Sequence, residues 1–464
     1  MVALRGSGGM HFDTVGNATV ICYEDRPILA TDPWIQGSAY FGSWKLSHEI
    51  PPAQRDAIKA AKYLWFSHGH PDHINAESLL ALSDRVILLP DHVGGRIHTD
   101  LTAQGLKTQV LPDREWVQLS PRIRVMCVSD YNQDALLFID INGRLLVNFN
   151  DGNALGSERF VKNIIKQFDR SFLMRLFSYG DADMINYFDA SGERIPPAAA
   201  QKRPVGPVMQ GYAEMYGVTD VIPFSCFHAY QRSDSAWVNQ MTTPCGVFSE
   251  GFNSKSVRLL PAFISYDCIT DQFTELNPAE TSRKLVDPAE FGDDWTEQLS
   301  EEDVRDLTAY FTRIEALRDK IDAVVFRVGG KDVAVDLPPR KKASKRQVMF
   351  EAPRTSLMAA IRYEVFDDML IGNFMKTTLI GKWPGSRLYP YFTPVVAKYA
   401  DNGRAYSAAD LDSYFHSYRA RQPVEFIMHR FQRNTEQLFR NFVSPQSKAF
   451  DYGKRVYFFL KKMA

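Results

Sequence analysis

Short apolar runs separated by turn residues set the rhythm of the first 150 positions of the chain. TVGNATVICYE, PILATDP, KYLWFS, RVILLP, IRVMCVS, ALLFIDI and RLLVNF are rich in β-branched and aromatic residues and have strand length. Two hairpins are expected, one around Asp25 to Pro27 and one across Asn142 and Gly143, an Asn-Gly pair of the kind that tight two-residue turns favour. Strands that arrive as hairpins and then alternate with helical stretches predict mixed sheets covered by helices, an α/β fold, and not a purely parallel doubly wound sheet.

Residues 155–220 read as more helical and include SGERIPPAAAQKRPVG, a connection or lid. TDVIPFSCFH, at 219–228, is strand-like again. Between 276 and 300 the chain turns acidic and polar, which sets the expected boundary between a first domain at 1–275 and a C-terminal, helix-rich α+β domain at 276–464. The second domain opens with a capping-box pattern, Ser300 and Asp303, before the helix EEDVRDLTAYFTRIEALRDKI. A hairpin turned by Gly329 and Gly330 follows, and then APRTSLMAAIRYEVFDDMLIGNFMKTTL, read as helix, in which Phe366, Leu370 and Phe374 recur every four positions and are assigned to core. The basic run Arg340, Lys341, Lys342, Lys345 and Arg346 reads as a solvated loop, with anion docking as its alternative.

Composition narrows the class of partner. The 464 residues suffice for two or three domains, and with 23% charged residues and a net charge of -1 no global field draws nucleic acid or an anionic membrane. A small-molecule substrate recognised locally is expected. No run approaches the roughly 20 apolar residues of a membrane span, and MVALRGSGGMHF lacks the apolar core of a signal peptide. The five cysteines, Cys22, Cys127, Cys226, Cys245 and Cys268, are scattered, which predicts a reduced, cytoplasmic protein.

The chemistry concentrates in FSHGHPDHIN, where three of the ten histidines, His68, His70 and His73, share six positions with Asp72. KYLWF before it reads as a buried strand and INAESLLALSD after it as an amphipathic helix, so the cluster sits on a strand-to-helix loop. In H-x-H-x-D-H a bend turns His68 and His70 towards one metal, while Asp72 and His73 reach a second. Imidazole and carboxylate together suit zinc, iron or manganese, and two adjacent metals can lower the pKa of a shared water. The bland alternative is a helix-capping Asp with exposed histidines.

The order GNATVICYEDRPILATDPW, HGHPDH, a hairpin ending in NFND, and PFSCFH resembles the metallo-β-lactamase fold, an αββα sandwich with metals at one edge of its two sheets. The resemblance implies that Asp151 bridges the metals, that His228 is the last ligand of the second, and that Asp72 and Asp151 are catalytic. Taken alone, Asp151 reads as a turn residue and His228 as a partly buried histidine. Asp130, in VSDYNQDALLF, stands where that fold usually places a third histidine, and it is either a ligand or a turn residue. With Asp130 ligating, three carboxylates and one bridging hydroxide would neutralise two divalent cations, which favours iron or manganese over zinc.

TDPWIQGSAYFGSWKLSHEIPP, WFSHGHPDH and FDDMLIGNFMKTTLIGKW are similar to blocks of the CMP-N-acetylneuraminate hydroxylases, which hydroxylate the N-acetyl methyl group of a nucleotide-linked sialic acid, and of related bacterial proteins. The similarity runs from about residue 12 to residue 395. It implies a di-iron oxygenase acting on a polar, nucleotide-linked or sugar-like molecule. That family carries a Rieske domain; here Cys226-Phe227-His228 is the only C-x-H and no C-x-x-H follows, so electrons are expected from an external ferredoxin or Rieske protein. The same fold and donors also suit a metal-dependent hydrolase of an ester, lactone, amide or phosphodiester, and a metal-poor scaffolding protein is the third reading. Asp32, in TDPW, is either a hydrogen-bond partner that orients a ligating histidine or the start of a turn. Trp34, Tyr179, Asp181, Tyr230 and Arg232 are the expected substrate contacts, with Arg232 suited to an anionic group or to a surface salt bridge.

Overall fold

The structure is a computed structural model that describes residues 9–178, 185–339 and 343–430. Tyr179 and Asp181, and the basic residues Arg340, Lys341 and Lys342, lie outside the described residues.

Two sheets form the first unit. One runs Gln272–Glu275, Ile264–Asp267, Met10–Val15, Thr19–Glu24, Arg26–Thr31, Tyr63–Trp65, Val86–Leu89, Lys107–Val110, and the other runs Arg258–Leu259, Asp220–Phe224, Arg170–Leu176, Arg144–Asn150, Ala135–Ile141, Ile123–Ser129, Trp116–Ser120. Alternation along each strand sends side chains to opposite faces. Phe12, Val20, Leu29 and Trp65 thus meet Val125, Leu137, Leu146 and Phe172 between the sheets. Ile21, Ala30 and Leu64 face outward onto Ile58 and Leu79 of the helices Pro52–Ala60 and Ala76–Ala81. On the other side Phe138, Val147 and Leu173 pack against Val161 of helix Glu158–Ile165 and Met209 of helix Gly206–Tyr216. The layers are αββα, and a strand covered on both faces is buried at every position, which explains the apolar run of ALLFIDI, whose one charged residue, Asp140, accepts from Arg124 Nε at 2.9 Å.

Both expected hairpins are present. Asp25 has φ 59°, and Asn142 and Gly143 have φ 51° and 84°, the left-handed pair that a two-residue turn between antiparallel strands needs. Strands Arg26–Thr31 and Tyr63–Trp65 run parallel, as do Arg144–Asn150, Arg170–Leu176 and Asp220–Phe224. Carboxyl ends of parallel strands leave their following loops together at one sheet edge, where open α/β sheets bind ligands.

Beyond Gln272–Glu275 the chain crosses to the helix Glu301–Thr312, whose capping box is formed: Asp303 N donates to Ser300 Oγ at 3.1 Å and Ser300 N to Asp303 Oδ2 at 2.8 Å. That helix is shorter than its sequence predicts and continues as the 3-10 turn Glu315–Asp319. The stretch read as one helix over 352–379 is instead the helices Arg354–Arg362 and Phe366–Ile371 and the strand Lys376–Gly381. Glu364 breaks it with φ 54°, a conformation stabilised by its carboxylate, which accepts from Arg313 Nη2 at 2.6 Å and Tyr406 Oη at 3.0 Å. Phe366, Leu370 and Phe374 are buried in the second unit's core with Phe311, Phe326 and Phe350. The units interlock, because Tyr187–Phe188 of the first lies parallel to Lys376–Gly381 as an edge strand of the second unit's sheet.

Candidate metal centre

Four strand ends build the site. Asp32 follows Arg26–Thr31, the histidine loop follows Tyr63–Trp65, Asp151 follows Arg144–Asn150, and Ser225 follows Asp220–Phe224. Asp32, Asn150 and Ser225 all have positive φ, 39°, 48° and 56°, so three of these corners turn through a conformation that costs a non-glycine residue energy.

The converging donors fall into two groups that share one carboxylate: His68, His70 and Asp151, and Asp72, His73 and Asp151, with the donor atoms of each group within 4.8 Å of one another. Asp151 Oδ2 lies 3.9 Å from His68 Nε2 and 3.6 Å from His73 Nε2, and Asp72 Oδ2 lies 3.5 Å from His73 Nε2. Around these donors stands a ring of neutral hydrogen-bonding groups. Tyr40 Oη donates to Asp72 Oδ1 at 2.5 Å, Asn17 Nδ2 to Asp72 Oδ2 at 2.8 Å, and Ser225 Oγ to Asp151 Oδ1 at 2.6 Å. Asn17 is itself fixed, accepting from Phe227 N at 2.8 Å.

Each imidazole has an outward partner. Asp32 Oδ2 is 3.3 Å from His73 Nδ1, Ser67 Oγ is 2.9 Å from His68 Nδ1, and Asp367 Oδ2 is 3.2 Å from His70 Nε2. Ser67 Oγ gives its proton to Asp32 Oδ1 at 3.1 Å, which leaves its oxygen to accept from His68 Nδ1. With the outer nitrogens protonated, the inner ones present lone pairs. His68 Nε2 and His70 Nδ1 then face each other at 2.8 Å, and His73 Nε2 is buried without a hydrogen-bond partner. Facing lone pairs and an orphaned ring nitrogen are costly in a protein interior and are relieved by a cation.

Electrostatics agree with this arrangement. Burial, then His73 and His70, holds His68 well below the usual imidazole range, so it is neutral. Burial acts the same way on His73, but the carboxylates of Asp72, Asp32 and Asp151 outweigh it and raise its affinity for a proton or another cation. Burial, partly offset by His70, pushes Asp368 up to about 7.

The second unit also reaches the site, which sequence reasoning missed. Asp367 and Asp368, on helix Phe366–Ile371, are each 8% exposed, and Lys398 Nζ lies 3.5 Å from Asp134 Oδ1 with Asp367, Asp130 and Asp151 also in its field. The available signal was the acidic pair inside the otherwise apolar FDDMLIGNF.

Other expected residues lie elsewhere. Asp130 belongs to neither donor group; its Oδ1 accepts from Asn132 N at 2.7 Å and Asp134 N at 3.2 Å, as a turn residue does, and Oδ2 is buried without a partner. His228 is also outside both groups. Its ring stacks on Trp44 at 3.4 Å and 1°, neither ring nitrogen has a hydrogen-bond partner, and burial pushes it down to about 3. Trp34 is buried, donating to Gly37 O at 3.3 Å, and Tyr230 is buried with Oη accepting from Asn373 Nδ2 at 2.9 Å. Arg232 is not on the surface: it is fully buried, its guanidinium held by Asp234, Asp293 Oδ2 at 2.7 Å and Phe41 O at 2.8 Å.

No family model matches the chain. Over 130 residues it is 30% identical to the cytidine monophosphate-N-acetylneuraminic acid hydroxylase of Asterias rubens, a match covering 26% of this chain and 20% of that protein. Over 129 residues it is 27% identical to the hydroxylase of the same name from Sus scrofa, covering 26% of this chain and 30% of that protein. The match thus spans less than a third of the length of either relative. Among solved structures it is similar to CmlA, a diiron β-hydroxylase from Streptomyces venezuelae, at 14% identity and a TM-score of 0.36, covering 56% of this chain and 54% of that one. It is also similar to Igni18, a metallo hydrolase from Ignicoccus hospitalis, at 11% identity and a TM-score of 0.34, covering 56% of this chain and 98% of that one. With αββα layers and an H-x-H-x-D-H loop at the sheet edge, the chain has the metallo-β-lactamase fold, and over about a quarter of its length it is similar to the CMP-N-acetylneuraminic acid hydroxylases.

Proposed function

We propose that this chain is a dinuclear-metal oxygenase that hydroxylates a polar small molecule. The observation that carries the reading is the pair of three-donor groups sharing Asp151. His68, His70 and Asp151 would hold one metal, and Asp72, His73 and Asp151 the other. Imidazole with hard carboxylate oxygen suits iron, manganese and zinc alike; with Asp130 outside both groups the carboxylate count no longer separates them, and iron is the metal of the oxygenase reading. Bound iron would supply the electrons through which dioxygen is activated.

The chain's own residues prepare the site. Burial, then the charge of Asp72, raises the Tyr40 phenol well above its ordinary value, so it stays a proton donor to Asp72. Asn17 holds the other oxygen of Asp72, and Ser225 holds Asp151 Oδ1, which turns Oδ2 of Asp151 towards His68 and His73. Exposure is graded across the site: His73 side chain 0%, His68 and Asp72 3%, against His70 12%, Asp367 11% and Asp151 18%. Substrate therefore approaches over Asp151, His70 and Asp367, and the opposite wall excludes water. In this reading the substrate is nucleotide-linked or sugar-like, by the similarity to the hydroxylases, and a separate ferredoxin or Rieske-type protein donates electrons.

The test is metal analysis of protein from iron-supplemented cells, with dioxygen uptake by the reduced protein. About two irons per chain and rapid uptake are expected. Zinc, with no response to dioxygen, would replace this reading with metal-dependent hydrolysis at the same donors.

A further inference from the structure

We infer that Asp367 is a positioning residue of the metal centre, fixing His70 with its proton on Nε2 and its Nδ1 lone pair towards the metal, so that the second unit completes a site otherwise built by the first. The inference rests on the reading that His70 holds a metal, and goes beyond it by assigning a role across the two units. Asp367 stands outside both donor groups, yet its Oδ2 is 3.2 Å from His70 Nε2, while His70 Nδ1 is 2.8 Å from His68 Nε2. An imidazole has two nitrogens, and a carboxylate accepting from one commits the other to ligation. The parallel with the other two rings is close: Ser67 Oγ takes the outer nitrogen of His68, and Ser67 Oγ and Asp32 Oδ2 each stand 3.3 Å from that of His73, all from the first unit. The remaining ring, His70, has its outer partner on the second unit.

The fold makes this contact a designed one. Asp367 is the second residue of helix Phe366–Ile371, and Phe366, fully buried among Phe311, Phe326, Phe350 and Phe392, anchors that helix. The break at Glu364 redirects the chain so that Asp367 faces His70. Lys398, on the same unit, adds a cation in whose field Asp367 lies.

The experiment is competition for Zn²⁺ between the full chain and a chromophoric chelator, for wild type, Asp367→Asn, Asp367→Ala and Asp367→Glu. Zinc is used alone, so the readout is independent of dioxygen, substrate and electron donor. Loss of an outer partner of a ligating histidine costs about 10–100-fold in metal affinity, and Asp367→Ala is expected to lose this much at one of the two sites. Asp367→Asn, whose amide oxygen still accepts but is less basic, is expected to lose less, and Asp367→Glu to recover part of the affinity. The metal-free melting temperature of each variant separates this from a purely structural role: Asp367→Asn keeps the shape of the side chain, so its zinc affinity should fall without a matching fall in melting temperature. Wild-type affinity in both Asp367→Asn and Asp367→Ala would overturn the inference. A wild-type chain that binds no zinc, or His70→Ala binding as tightly as wild type, would overturn the metal reading beneath it.

Discussion

Asp32 Oδ2 lies 3.3 Å from His73 Nδ1, and both side chains are completely buried. The same carboxylate accepts from Ser67 N at 2.8 Å and from Asn150 Nδ2 at 2.6 Å, so Asp32 ties together the strand end that carries the histidines and the one that carries Asp151. Asp32→Ala removes the acceptor for several buried donors at once, and at φ 39° alanine gains nothing in backbone comfort. A loss of about 2–4 kcal/mol in urea denaturation is expected. Asp32→Asn keeps the shape but replaces an acceptor oxygen with a donor, and should lose metal more than stability. Full metal occupancy in Asp32→Asn would show that His73 needs no such partner.

Arg232 joins the units. Its guanidinium meets Asp234 and Asp293, it lies over the Phe374 ring at 3.9 Å, and Asp293 also accepts from Ser356 N and Oγ. Arg232→Met leaves Asp293 buried beside an apolar chain, so a destabilisation of about 3–5 kcal/mol is expected, with metal content per folded chain unchanged. A variant of wild-type stability that failed to bind an anionic substrate would restore the binding role read from sequence.

How much of this was legible depends on how far apart the partners stand. His68, His70, Asp72 and His73 are consecutive enough to read directly, and Asp151, which alone reads as a turn residue after a hairpin with a visible Asn-Gly turn, is reached only through the resemblance. The outer partner of His70 was not legible. Asp367 sits in a stretch whose four-residue periodicity, Phe366, Leu370 and Phe374, signals core, and the break at Glu364 needs Arg313 and Tyr406 from distant positions to hold it. Arg232, read as a contact for an anionic group or a surface salt bridge, is instead buried for the same reason, since Asp293 comes from beyond the boundary expected at residue 276. His228 follows the motif order, but pairing of His228–Tyr230 with Trp44–Leu46 sets its ring against Trp44.

That stack yields a pH prediction. Burial holds His228 at about 3, below the roughly 6.5 of an unfolded histidine. Between these values the unfolded chain binds the extra proton, so this group contributes stability above pH 6.5 and loses it as pH falls towards 3. By pH 4 the loss from this one group is about 3 kcal/mol. His228→Phe keeps an aromatic ring against Trp44 and removes the titration. Its stability should fall less than that of wild type between pH 7 and pH 4 in urea denaturation, and equal acid limbs would show that the ring is solvated or ligated.

Metal removal should act in the opposite pH range. In the metal-free chain burial raises Asp368 to about 7 from an ordinary 3.8, so its neutral form is favoured in the fold. A raised folded value means stability that is present below about pH 4 and is lost as pH rises through 7, here about 1 kcal/mol between pH 6 and pH 8. His73 adds to this in the same sense, because the carboxylates of Asp72, Asp32 and Asp151 overcome its burial and raise it when no metal is bound. A bound cation takes the place of those protons and offsets the repulsion among the carboxylates at any pH. The gap in melting temperature between metal-loaded and chelator-treated protein should therefore widen from pH 6 to pH 8. A gap that narrows over this range would mean that Asp368 and His73 are not the groups whose protons the cation replaces.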